Sequence, residues 1–280
     1  MVVGLQQHYH NRDEVSVYDL KPIGIVQSAI KHSGDMPLQG VPAVIKVFDE
    51  FLEGLTGIEG DSHINVIGWF SKAERAPLMV RPRKINPKLE ERGVFSLRSP
   101  TRPNPLSLSA TRLTKVDRPL LYVEPLDLID GSPIVDIKPY SSGWDSIFWA
   151  RDVHSALITR HMAQADVLAA LLREAYNFHG ERCGAVAVAA KIAYDASQTL
   201  EASIRDIFLR LPRNVNPHVA DGLIGISKAT IGNARLTLSE APDVLVFTAA
   251  QSIRYRVFDV PDLEAHRILE LSPDEIFERL

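Results

Sequence analysis

Gly93-Val-Phe-Ser-Leu-Arg-Ser-Pro-Thr-Arg-Pro-Asn-Pro-Leu-Ser-Leu-Ser109 decides how the first half of this chain is read. Three prolines, Pro100, Pro103 and Pro105, fall within six residues. Each fixes φ and removes a backbone donor, so the stretch is neither helix nor central strand. It is a rigid loop that presents Arg98, Arg102 and Asn104. Two preorganised guanidinium groups and an amide suit a carboxylate or a planar polar group. A proline-rich turn with solvated arginines is the plainer alternative.

On either side of this loop the apolar signals are short. Residues 23–26, 64–67, 106–109 and 121–124 read as strands bounded by Gly, Pro, Asp and Ser. Residues 41–52 fit a strand or a short helix. Ser62-His63 fits the start of a strand running to Trp69, with the histidine read as a structural hydrogen-bond partner rather than a catalyst. Pro77, Pro82, Pro87, Pro133 and Pro139 add to the proline density. Many short strands with Pro-rich connections predict an all-β barrel or sandwich. Leu126-Asp-Leu-Ile-Asp-Gly-Ser-Pro-Ile-Val-Asp-Ile-Lys-Pro-Tyr140 carries the turn signal Asp130-Gly131 and three carboxylates, Asp127, Asp130 and Asp136, with Lys138 to offset them. Met36-Pro-Leu-Gln-Gly40 is another rigid polar turn.

The texture changes after Ser146. Residues 152–177 carry apolar side chains at helical spacing, among them Leu157, Met162, Val167, Leu168, Leu171 and Leu172. Residues 180–200 are alanine-rich, as in a helix packed closely on a neighbour. Residues 204–211 are read as a further short helix. Strands return at 234–238, 244–247 and 252–257. Residues 263–280 are read as a final helix, with Ser272 and Pro273 as N-cap and first helical residue. The expected organisation is a polar arm at 1–18, a β-barrel domain at 19–148 and an α+β domain at 149–280.

The 280 residues are 45% hydrophobic and 24% charged, normal for a soluble globular protein with a sizeable core. No apolar run approaches the ~20 residues that span a bilayer, and the first residues do not read as a signal peptide. Cys183 is the single cysteine, which excludes an intrachain disulfide and fits a reducing cytoplasm. The formal net charge is −4. Basic residues cluster between Arg75 and Arg102, but Glu74, Glu90 and Glu91 dilute them. A nucleic-acid partner ordinarily selects for a basic balance, because phosphate contacts dominate affinity.

Together these segments resemble the TrmO/TsaA-like (YaeB-like) family of S-adenosylmethionine-dependent methyltransferases. The motifs occur in the family's order: Pro22-Ile-Gly24, Pro37-Leu-Gln39, Ser62-His-Ile64, Arg81-Pro-Arg83, then the 93–105 loop and the 126–140 segment. The resemblance implies a compact β-barrel holding the cofactor in a cleft, and a homodimer. It places Gln39, Gly40, Ser71, Arg98, Leu108 and the turn Asp127, Leu128, Ile129 and Asp130 at the cofactor. Arg102, Asn104 and Tyr140 become candidates for the catalytic side, facing the acceptor. Two departures stand out. Ser107 replaces a family glycine, and Ser71-Lys72 stands where tRNA-modifying relatives often carry His-Gln.

Asn177-Phe-His-Gly-Glu-Arg-Cys-Gly-Ala-Val-Ala-Val188 brings His179 and Cys183 to a spacing of four. If a helix begins by His179, both lie on one face near its N-terminus and can hold zinc or a similar ion. A buried inert thiol beside a capping histidine is the plainer reading. The stretch resembles the FmdE-like domain, known from formylmethanofuran dehydrogenase, as does His218-Val-Ala-Asp-Gly-Leu-Ile-Gly-Ile-Ser-Lys-Ala-Thr-Ile-Gly-Asn-Ala-Arg-Leu236. By that alignment His218 replaces a family cysteine and Glu181 a family histidine. His179, Cys183 and His218 then remain as a three-ligand metal set.

The functional expectation is S-adenosyl-L-methionine-dependent methyl transfer to a nitrogen of a small molecule. The other readings are tRNA adenine N6-methylation, aminocarboxypropyl transfer from the same cofactor, and a non-catalytic cofactor- or metal-binding module.

Overall fold

A computed structural model describes residues 19–73, 78–150, 153–258 and 264–280. The expected arm at 1–18 lies outside them. The chain divides into two compact units. One comprises the residues up to Ala73 together with Pro105–Tyr140; the other comprises Glu74–Asn104 and Ser141–Leu280.

The first unit is a closed barrel. Its strands are β1 (Gly24–Ser28), β2 (Val41–Val47), β3 (His63–Trp69), β6 (Leu106–Asp117), β7 (Leu120–Leu126) and β8 (Pro133–Pro139). They close in the order β1-β2-β7-β6-β3-β8, every pair antiparallel. Alternation sends Val26, Ile45, Ile64, Val66, Leu121, Val123 and Ile134 into one core. Closure leaves no strand edge unpaired. Residues 41–52 are strand first and then a 3-10 turn, Asp49–Leu55.

One irregularity matters for the site. The β3–β8 register shifts between Ile67 and Gly68. The Gly68 amide donates to Ser107 Oγ at 2.9 Å, and Ser107 is buried. The departure at Ser107 therefore supplies an acceptor for a buried donor. An added Cβ on Gly68 would meet Leu128 Cδ1 at 2.5 Å and Ser107 Oγ at 2.8 Å, so a larger residue requires both side chains to move.

The second unit mixes helices and strands. Its 74–104 segment carries the short pair β4 (Met79–Val80) and β5 (Arg92–Gly93). Helices α1 (Ser142–Asp145), α2 (Val153–His161), α3 (Gln164–His179), α4 (Gly184–Thr199), α5 (Pro217–Ser227) and α6 (Ala265–Glu270) follow. A five-stranded sheet is built from β9 (Phe208–Pro212), β10 (Leu236–Ser239), β11 (Val244–Phe247), β12 (Ser252–Val257) and β13 (Phe277–Arg279), in the order β10-β9-β11-β12-β13. The alanines of α4 permit close approach: a Cβ on Gly222 of α5 would meet Ala189 Cβ at 2.5 Å. No helix among the described residues is long and apolar enough to cross a membrane.

Two expected helices are corrected. Residues 204–211 form a 3-10 turn, Ile204–Asp206, and then β9. Leu209 and Leu211 alternate inward with exposed Arg210, a period-two pattern too short to separate from a helix by sequence alone. Residues 263–280 do not continue as one helix. Residue 263 lies outside the described residues; α6 ends at Glu270, a capping box joins Ser272 and Glu275, and Phe277–Arg279 pairs with β12. Pro273 does take the first position after the Ser272 cap, but of a 3-10 turn.

Candidate functional site

Three of the barrel's motif segments meet. Gly40 has φ +74°, and its amide donates to the Pro37 carbonyl. A Cβ here would lie 2.9 Å from the Leu126 carbonyl carbon and oxygen and 3.2 Å from the Asp127 nitrogen. Only glycine meets both demands, so the turn bearing partly buried Gln39 rests directly on the 126–127 backbone. Asp127 accepts a short hydrogen bond from the Ser109 hydroxyl of β6. Asp130 Oδ1 accepts the Ser28 amide at 3.1 Å, and the Asp130 amide donates to Ile30 at 2.7 Å. Gly131, at φ +76°, completes the turn. Leu108, one residue from Ser109, turns outward and is 54% exposed. Leu128 is 0% exposed and belongs to the barrel core. Its side chain packs into that core, beside partly buried Ile129.

The remaining barrel candidates are more scattered. Ser71 is exposed in the turn that follows β3. Tyr140 sits at the opposite end of that strand: its amide donates to the His63 carbonyl at 3.1 Å and its ring centroid lies 6.3 Å from the His63 ring. Gly68, which touches Leu128, is five residues along from His63. At about 3.3 Å per residue that is roughly 17 Å. Partial burial holds the His63 imidazole below its ordinary pKa of 6.5, and the Arg112 guanidinium opposite it adds to the effect.

Arg98, Arg102 and Asn104 belong to the second unit. Arg98 and Asn104 are exposed. Arg102 clamps its own loop. Its Nε donates to the Ser99 carbonyl at 2.7 Å, and its Nη2 to the carbonyls of Leu97 at 2.6 Å and Val94 at 3.2 Å. The guanidinium holds the proline-rich loop in shape.

His179, Cys183 and His218 do come together: one ligand atom of each lies within 4.8 Å of the others. The route differs from the expected single helix. His179 is the last residue of α3, because Gly180 follows it in the left-handed region at φ +91°. Cys183 is the N-cap of α4. His218 stands in the first turn of α5, where the Asn216 cap accepts its amide at 2.9 Å. Cys183 Sγ is 3.6 Å from His218 Nδ1, and the two imidazole centroids are 4.5 Å apart. The missed residue is Asp221, whose Oδ2 lies 3.0 Å from His179 Nδ1. Its signal was available, since His218 and Asp221 share a helix face at i, i+3. Close approach of α3 and α5 depends on Gly225, where a Cβ would meet Phe178 Cβ at 2.6 Å. Nearby, burial raises the Tyr176 phenol to about 12.

The family model described as the tRNA-methyltransferase O N-terminal domain matches residues 25–146. An S-adenosyl-L-methionine-binding protein of Archaeoglobus fulgidus is 46% identical over 132 residues, 46% of this chain and 93% of the relative. The chain belongs to this family. A second Archaeoglobus fulgidus protein, named a probable S-adenosyl-L-methionine-binding protein, is 34% identical over 233 residues, 78% of this chain and 60% of the relative. That alignment is longer than the whole family match, so it takes in second-unit residues beyond 146. The human tRNA (adenine(37)-N6)-methyltransferase is 31% identical over 139 residues, 45% of this chain and 31% of the relative. A crystal structure of TrmO from Pseudomonas aeruginosa is 28% identical with TM-score 0.41, covering 49% of this chain; this chain spans 62% of it. The family match takes in the turns at Gly40 and at Asp127–Asp130 that the barrel brings together.

Proposed function

We propose that this protein binds S-adenosyl-L-methionine on its barrel unit and transfers the sulfonium methyl to a nitrogen nucleophile of a small molecule. One observation carries the reading: the Gly40 turn is seated on the backbone of Leu126 and Asp127, inside a family whose named members bind this cofactor. Asp127 and Asp130 supply carboxylates for ribose hydroxyls. The Leu128 and Ile129 backbone supplies donors and acceptors for an adenine edge. Exposed Leu108 supplies apolar surface for the purine face. A nitrogen lone pair attacks the methyl carbon, the C–S bond breaks, and its electron pair stays on sulfur. The product is the neutral thioether S-adenosylhomocysteine, and the nitrogen then sheds its proton. A sulfonium is already a good leaving group, so holding donor and acceptor in line accounts for much of the rate.

Methylation of a tRNA adenine is the second reading, favoured by the name of the human relative. The net charge of −4 weighs against it. Incubation of the full chain with methyl-labelled cofactor tests both, with bulk tRNA in one arm and a nucleic-acid-free metabolite extract in the other. Label in the extract, with S-adenosylhomocysteine formed, supports the small-molecule reading. Label confined to tRNA sinks it in favour of the second. Release of methylthioadenosine instead would mean transfer of the aminocarboxypropyl group. Sedimentation of the purified chain tests the dimer that the resemblance implies.

A further inference from the structure

We infer that the second unit is a metal site: His179 Nε2, Cys183 Sγ and His218 hold one divalent ion of zinc character, Asp221 orients His179, and a fourth position stays open to water or a donor atom of a small ligand. The inference stands apart from the barrel chemistry, and either can fail alone.

The histidine is the first support. Its side chain is only 10% exposed, and Nε2 is buried with no hydrogen-bond partner. A buried, unpaired ring nitrogen is a rare and destabilising arrangement in a settled protein. Nδ1 is already engaged by Asp221 at 3.0 Å. A carboxylate on one ring nitrogen fixes the tautomer that leaves the other nitrogen's lone pair free, as in carboxylate–histidine–metal arrangements.

The distances are the second support. With bonds of about 2.0 Å to nitrogen and 2.3 Å to sulfur, the edges of a tetrahedral site are about 3.3–3.6 Å. Cys183 Sγ and His218 Nδ1 are 3.6 Å apart, and the whole set fits within 4.8 Å. One thiolate and two imidazoles select a borderline ion over magnesium or calcium. Three protein ligands leave the open position that distinguishes a reactive or ligand-binding site from a purely structural one. Occupation would deprotonate the thiol and release its proton.

Cys183 is the only cysteine, so every thiol readout reports on this site. The full chain, stripped with chelator, is titrated with cobalt(II). The expected result is one ion per chain, strong visible bands of four-coordinate cobalt, and a thiolate-to-cobalt charge-transfer band. That band disappears in Cys183→Ser, whose helical circular dichroism is unchanged. Asp221→Asn keeps the spectrum and weakens affinity about 10–100-fold. Bound metal also shields the thiol from a disulfide reagent. Weak six-coordinate cobalt spectra in the wild type would overturn the site. So would thiol reactivity indifferent to metal, which would leave a thiol–imidazole pair in its place. Wild-type affinity in Asp221→Asn would remove Asp221 from the proposal.

Discussion

In the barrel, the Gly40 turn rests on the Leu126 backbone and the Asp130 amide donates to the Ile30 carbonyl, so main chain meets main chain. In the second unit, His179, Cys183 and His218 come from the ends of three helices and meet only through side chains. The barrel pairs the buried Gly68 amide with Ser107 and Ser109 with Asp127, and leaves the Thr111 hydroxyl of β6 buried without a partner. The second unit buries charge: Glu174 lies 2.7 Å from Arg205, and burial pulls the Lys228 ammonium below its usual pKa, with Lys228 over the Phe148 ring. Backbone-built sites tolerate side-chain change and resist main-chain change. Side-chain-built sites behave the other way, and depend on helices approaching to a fixed depth.

The sharpest way to break this contrast is Gly222→Leu. It drives a side chain into Ala189 across the α4–α5 contact. The expected loss is about 3 kcal/mol, the upper range for overpacking. Hydrogen exchange should rise in α4 and α5 while β2 and β7 keep their protection. Equal loss in both sets of strands and helices would mean the two units are not energetically separate.

Gly40→Ala is the converse. A left-handed non-glycine residue costs about 1–2 kcal/mol before any clash, and the Leu126 backbone at 2.9 Å adds to it. We expect about 2 kcal/mol or more of lost barrel stability, read as raised exchange in β2 and β7 with α3 to α5 unchanged. An unperturbed barrel would show that main-chain contact does not set this turn.

A smaller effect is expected of Ser107→Ala, which leaves the buried Gly68 amide without its acceptor. A melting curve should register a loss of about 1–2 kcal/mol. A neutral result would mean that the shift in register between Ile67 and Gly68 is satisfied by other means.

The smallest is a pH effect at His63, whose pKa is depressed by partial burial and by Arg112. The unfolded chain then binds its proton more readily than the folded one. The stability His63 contributes is complete above 6.5 and is lost as pH falls through the lowered value. His63→Asn should shrink the fall in melting temperature between about pH 7.5 and about pH 5. An unchanged fall would assign that acid sensitivity to other groups.

The barrel was largely legible because its signals are local. The strands at β1, β3, β6 and β7 appear as short apolar stretches, and Gly40 and Asp130-Gly131 announce their turns in sequence. Arg102 was less so, because a guanidinium folded back onto Val94, Leu97 and Ser99 looks no different in sequence from one offered to a ligand. Tyr140 belongs to the same motif as Asp127, yet the length of β8 carries it to the far end of β3. In the second unit the spacing of His179 and Cys183 suggested one helix. Gly180 breaks it, and the grouping arises from long-range packing of α3 against α5. The i, i+3 spacing places Asp221 on the His218 face of α5, but its pairing with His179 arises from that packing.

The division of the chain has a consequence for its synthesis. The polypeptide passes from one unit to the other after Ala73, after Asn104 and after Tyr140. β1, β2 and β3 therefore leave the ribosome before the partners that β2, β3 and β1 need, which are β7, β6 with β8, and β8. Their open edges must wait while Glu74–Asn104 is made. A C-terminal piece beginning at Ser141 also lacks its unit's opening segment, so neither half can be excised as a single uninterrupted fragment.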